Sequence, residues 1–154
     1  MNFHRPHCLL LAATLALATA TAAHAQATSS VTPLPNDALY QQFGGQPGLT
    51  KLMDEFVERL VVDPRTERFF KNANKPHLKA QLTDQLCEVS GGPCKLKGPA
   101  MADVHGNMGI NKGDFNALVE VLQQTMNAQG IPFAAQNRML AQLAPMHRDI
   151  ITAE

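Results

Sequence analysis

The sequence predicts an all-α domain, on three observations. Apolar residues recur at three- and four-residue steps in four long windows, and Gly and Pro punctuate the gaps between those windows. No window sustains the apolar–polar alternation of a half-buried strand, and β-branched residues are sparse. Helices of about 10–18 residues joined by such turns can enclose a core in a chain of this length.

The first 25 residues stand apart from that pattern. His4, Arg5 and His7 precede an apolar run from Cys8 to Ala23, which closes in Ala23-His24-Ala25. A small-x-small end after a basic start reads as a secretory signal peptide over 1–25. The alternative is a membrane anchor, which the short, Ala/Thr-rich run disfavours; no stable membrane insertion is expected. Cleavage there would take 25 of the 154 residues and leave 129, one domain's worth, in an exported protein, periplasmic or secreted. Arg5 is the one charged residue lost, so 12 basic side chains would face 13 acidic ones. A near-neutral domain without a basic block gives no electrostatic case for nucleic acid.

Residues 26–37, rich in Ala, Ser, Thr and Pro, read as a flexible lead-in to a domain over 38–154. Leu39-Tyr40-Gln41-Gln42-Phe43 makes a short helical turn closed by Gly44-Gly45. Pro47 suits the opening of the next helix, whose apolar face is Leu49, Leu52, Met53, Phe56 and Leu60, and Asp63-Pro64 ends it. Phe69-Phe70 sits in a short polar-flanked segment; with seven Phe and one Tyr in the chain, an adjacent pair is expected to plug something substantial. Asn74 to His77 leads into a helix with a Leu78, Leu82, Leu86, Val89 stripe that stops at Gly91-Gly92. After a loop over Lys95 to Pro99 comes the short segment Met101 to Met108, and Asn111 to Gly113 turns the chain. Phe115, Leu118, Val119, Leu122 and Met126 form the next face, ending at Gly130. Ile131-Pro132 opens a last helix with Met139, Leu140, Leu143, Met146 and Ile150 inward.

Two cysteines remain after the leader, Cys87 and Cys94, an even pair in an exported chain. Gly91-Gly92-Pro93 between them can turn the backbone back, so a structural disulfide is expected. The spacing does not fit a Cys-x-x-Cys redox motif. Among the side chains that bind metals, His105 is the candidate, set between apolar residues in Met101-Ala-Asp-Val-His105. Zinc or copper would need further His or Cys ligands, which are hard to find nearby; haem needs one axial residue, because the porphyrin supplies four nitrogens. The bland alternative for such a histidine is an ordinary core or surface side chain.

Taken in order, Leu39-Tyr40…Phe43-Gly44-Gly45, Phe56…Leu60, Phe69-Phe70, Gly91-Gly92, Gly98…Met101…His105, Gly109-Ile110…Phe115 and Leu143-Ala144-Pro145 resemble a group I truncated haemoglobin, the two-on-two helical globin. Each piece alone is weak, and seven in order at the right spacing are specific. The resemblance implies haem b (iron protoporphyrin IX) with His105 as proximal iron ligand and Phe70 flat on the porphyrin. Phe56, Val57, Leu78, Gln81, Leu82 and Met101 complete the implied haem pocket. It contains no Cys-x-x-Cys-His, so a covalent c-type haem is not expected.

The departures from the family bear on function. Many relatives carry a tyrosine right after the second-helix Phe, where it hydrogen-bonds bound oxygen; here Val57 follows Phe56. Leu78 and Leu82 stand where relatives often have a polar residue. Gln81 stands where some place a second iron-binding histidine, and Gln85 where an aromatic is common. The distal wall therefore reads as apolar, with Gln81, Gln85 or His77 as rim donors, which argues against tight, tyrosine-stabilised oxygen binding. His77 is expected at the haem edge or in solvent, and His147 on a solvated helix face. The first reading is reversible binding of a diatomic gas (oxygen, nitric oxide or carbon monoxide). A haem oxidoreductase, such as a nitric oxide dioxygenase or a peroxidase-like enzyme with an unknown electron donor, is a second. A six-coordinate electron-transfer protein is a third, and a haem-free helical interaction module a fourth.

Overall fold

The structure, a computed structural model, describes residues 36–153; the expected signal peptide and most of the lead-in lie outside the described residues. The described residues form helices without strands: α1 (Ala38–Gln42), α2 (Gly45–Leu60), α3 (Glu67–Phe70), α4 (Lys75–Val89), α5 (Met101–His105), α6 (Lys112–Ala128), α7 (Phe133–Leu143) and α8 (His147–Ile150), with a 3-10 turn over Ala144–Met146 between α7 and α8. The all-α expectation holds.

The central helix is α2. Its apolar residues fall on one face, and Leu49, Leu52, Met53, Phe56, Val57 and Leu60 are all buried. Fully burying side chains of this size contributes about 1.5–3 kcal/mol each. Its start depends on glycine twice. Gly44 takes the left-handed φ of +78° that ends α1 and opens α2. At Gly48 any Cβ would lie 1.9 Å from the carbonyl oxygen of Phe43, so only glycine lets the two helices join so tightly.

Against α2 pack α4 and, on another side, α6, while α7 closes on α1, α4 and α6. The ends of these helices follow from local chemistry. Asn74 accepts the backbone N–H of His77 to cap α4, with Pro76 in the first turn. Asn111 and Asp114 form a reciprocal capping box at the start of α6. The core joins Tyr40 and Phe43 of α1, the α2 face, Leu86 and Cys87 of α4, Val121, Leu122 and Met126 of α6, and Ala135 and Met139 of α7.

Three elements depart from the sequence expectation. The α4 stripe is split: Leu86 is buried along with Thr83, Gln85 and Cys87, whereas Leu78 and Leu82 are left half buried. The last helix is not continuous to Ile150. Pro145, which has no N–H and crowds the preceding turn, breaks it after Leu143. The α6 face is shifted: Ala117, Val121, Leu122, Thr125 and Met126 are buried, and Phe115, Leu118 and Val119 are half buried. Of the Phe69-Phe70 pair, both half buried, Phe70 packs against the core, and Phe69 lies under the Arg68 guanidinium, 4.5 Å from the ring centre.

Candidate functional site

The segment carrying His105 is one short helix between two irregular stretches. Ala100, in an extended conformation, begins α5, and Gly106 ends it after five residues. So short a helix has little stability of its own, and its place is set by what holds its ends. On the leading side, the disulfide Cys87–Cys94 ties the loop to the end of α4. The N–H of Leu96 donates to Glu88 at 2.8 Å, and Lys95 pairs with the same carboxylate at 3.0 Å. The N–H of Leu96, then the Lys95 ammonium, hold the Glu88 carboxyl below its usual range. On the trailing side, Ile110 is bonded to the C-terminal segment, and α5 itself packs on α8.

His105 is half buried, with Nδ1 2.8 Å from the carbonyl oxygen of Met101. A carbonyl can only accept, so Nδ1 carries the proton, and in the neutral ring the lone pair falls on Nε2. This is the arrangement in which a histidine offers one nitrogen to a metal while the other fixes the ring. Met101, half buried, thus contributes its main chain rather than its sulfur. Among the described residues no three His, Cys, Asp or Glu side chains gather to hold a bare metal ion.

The residues expected opposite His105 lie on α2 and α4. Phe56 and Val57 are buried on α2. Phe70 and Leu82 are half buried and pack against the core that contains Phe56, while Leu78 and Gln81 are half buried. Val57, Leu78 and Leu82 can donate no hydrogen bond. Of the polar candidates, Gln85 is buried and engaged, its Nε2–H donated to the Met146 sulfur at 3.1 Å. Gln81 is turned toward the α5-side loop, where its Oε1 lies 3.6 Å from the position a Cβ would take on Gly98. His77 and His147 are exposed, and His147 lies 6.4 Å from the Phe115 ring.

A haem fits these residues. The chain leaves the apolar side chains of Phe70, Leu78, Leu82, Met101, Met108 and Leu118 half buried, together with one imidazole whose Nε2 is free to coordinate. Surface hollows at Asn111–Gly113 with Ile151–Ala153, and between α2 and α4, include none of these side chains. Met146, Thr152 and Ala153 join the site's surroundings without any mark in the sequence. Their partners, Gln85 and Ile110, are far away in the chain, and no local signal marks the pairing.

The chain matches the family model described as bacterial-like globin over residues 38–152. It is 28% identical over 113 residues to a group 1 truncated hemoglobin of Tetrahymena pyriformis, covering 73% of this chain and 93% of that one. It is 27% identical over 117 residues to a group 1 truncated hemoglobin of Mycolicibacterium paratuberculosis, covering 76% and 86%. The Fe(III) crystal structure of the Tetrahymena pyriformis protein superposes with a TM-score of 0.70 at 28% identity, over 73% of this chain and 97% of that one. That protein has also been solved with one tyrosine changed to phenylalanine and, separately, with each of two glutamines changed to glutamate. The glutamines follow the tyrosine by 21 and 25 positions, the same intervals that separate Val57 from Leu78 and from Leu82.

Proposed function

Because the chain belongs to the bacterial-like globin family, as a group I truncated globin of two-on-two fold, we propose that it binds haem b through His105 and reversibly binds a diatomic gas. The observation that carries the reading is the Nδ1 bond from His105 to Met101, which leaves Nε2 free on a half-buried histidine. When bound, the haem would be held by His105 and would supply the iron at which the gas binds.

The chain's own residues define the rest. Met101 orients the imidazole, and Phe70 with the half-buried leucines supplies an apolar seat for the porphyrin. Val57, Leu78 and Leu82 present a distal wall without a donor, at the spacing at which the Tetrahymena protein has a tyrosine and two glutamines. Gases whose hold depends on a hydrogen bond are therefore held weakly relative to those that need none. The Cys87–Cys94 disulfide suits an oxidising compartment and supports, with the pattern over 1–25, export of the protein.

The test is the absorption spectrum of the purified protein loaded with haemin, oxidised and reduced, beside that of His105→Ala. A five-coordinate ferrous histidine spectrum that disappears in the variant is the expected result. A spectrum unchanged by His105→Ala overturns the assignment, and a six-coordinate ferrous spectrum favours electron transfer instead.

A further inference from the structure

Residues beyond α7 make contacts that the proposed site does not itself use. Met146 sits on the 3-10 turn and takes the Nε2–H of Gln85 on the distal helix α4. After α8 the chain extends at Ile151 and lays its next two residues against Ile110. The N–H groups of Thr152 and Ala153 both donate to the Ile110 carbonyl, at 2.9 and 3.0 Å. In return the Ile110 N–H donates to Thr152 Oγ1 at 3.2 Å. Between these two anchors α8 packs on α5. The segment from Met146 to Ala153 is thus a strap with one end on the distal helix and the other five residues past His105.

The stretch from His105 to Ile110 needs such an anchor. Gly106 and Gly109 lie within it, Gly109 at φ +62°, and a Cβ added at Gly109 would meet nothing within 4 Å. The one backbone bond inside the turn runs from the Met108 N–H to the His105 carbonyl, at 3.0 Å. Ile110, 7% exposed, is the first buried residue after the histidine, and its main-chain groups are satisfied by the strap.

We propose that Thr152 is a positioning residue for His105, acting through Ile110, with Met146 tying the same strap to the distal wall. The inference rests on the haem reading above and goes beyond it: the C-terminal strap sets where Nε2 stands. Removing the Thr152 hydroxyl leaves the buried Ile110 N–H without its acceptor, while removing Thr152 and Ala153 abolishes the clasp.

The experiment compares the unmodified protein with Thr152→Val, Thr152→Ser and a chain ended after Ile151. Before haem is added, amide exchange at Ile110 should quicken about fivefold in Thr152→Val, the factor that loss of one net hydrogen bond implies. It should quicken further in the shortened chain, with helix content kept. After loading with haemin and reduction, the iron–histidine stretching band should shift or broaden in Thr152→Val. Transfer of haem to an acceptor globin should be severalfold faster, and Thr152→Ser should restore both. Lower melting temperatures with the band and the transfer rate unmoved would mean a merely structural role and overturn the inference. So would unchanged Ile110 exchange in the shortened chain. If the unmodified protein takes up no haemin, the haem reading fails and this inference with it. If it loads through His105 and the variants behave like it, the inference alone fails.

Discussion

The Nδ1 of His105 donates to the carbonyl of Met101 across 2.8 Å, one turn back on the same five-residue helix. The bond fixes both the tautomer and the direction of the ring before any ligand arrives. Replacing His105 with Gly and supplying free imidazole should therefore restore the proximal spectrum only in part. Free imidazole lacks both the covalent tether and the fixed ring, so haem should leave the rescued variant faster than the parent. Haem transfer to an acceptor globin measures this; equal rates would show that neither the tether nor the ring fixed by Met101 holds the haem.

The disulfide closes a loop with seven residues of sequence separation, so its chain-entropy contribution is no more than about 2–3 kcal/mol. Cys94→Ser should lower the unfolding free energy by an amount of that order. It should also loosen the loop that Glu88 holds through Leu96. Denaturant unfolding of oxidised and reduced protein, with mass spectrometry of unreduced peptides, checks both; two free thiols in protein recovered from an oxidising compartment would refute the bridge.

The proposed distal wall gives a graded prediction. A neutral hydrogen bond to oxygen is worth about 1 kcal/mol or more in a dry pocket, and Val57, Leu78 and Leu82 supply none. Oxygen should leave quickly, while carbon monoxide and nitric oxide, which depend less on a donor, should suffer less. Val57→Tyr should slow oxygen release by about tenfold for each 1.4 kcal/mol gained. Val57 is fully buried, so overpacking of about 1–3 kcal/mol would offset the gain in overall stability. Gln85→Leu should leave the off-rate unchanged, because that amide is already committed to Met146, and Gln81→Leu is the informative change. A slow off-rate in the parent that neither substitution alters would point to His77.

Glu88 sets a pH limit on the loop before α5. Its carboxyl is depressed below the ordinary value of 4.5, first by the Leu96 N–H and then by Lys95. A carboxylate depressed on folding contributes stability above its unfolded-state pKa, and loses that contribution as pH falls through the lower folded-state value. The Leu96 anchor should hold at pH 5 and above and fail on acidification below 4.5, whereas Glu88→Gln should remove this pH dependence. Amide exchange at Leu96 in acid, corrected for the intrinsic rate, reads it directly. An exchange profile identical in the variant would show that the carboxylate does not hold the loop.

Much of this protein was decided within a few residues at a time, and so was legible in the sequence. The α2 face, the start of α4 after Asn74, the Gly44-Gly45 turn and the short segment carrying His105 between two longer helices all follow from periodicity and turn chemistry that act locally. The break at Pro145 is equally local and a proline inside a helical pattern is its signal, but the apolar spacing that carries on to Ile150 hides it. What only the tertiary structure decided is how faces meet. Leu78 and Leu82 carry the same helical spacing as Leu86, yet of the three only Leu86 is buried, and Leu78 and Leu82 are left half buried. Gln85 reaches Met146 across 61 positions and Ile110 reaches Thr152 across 42. A hydrogen bond over such separations depends on the angles at which helices cross, and nothing in the residues on either side of a glutamine or a threonine encodes that angle.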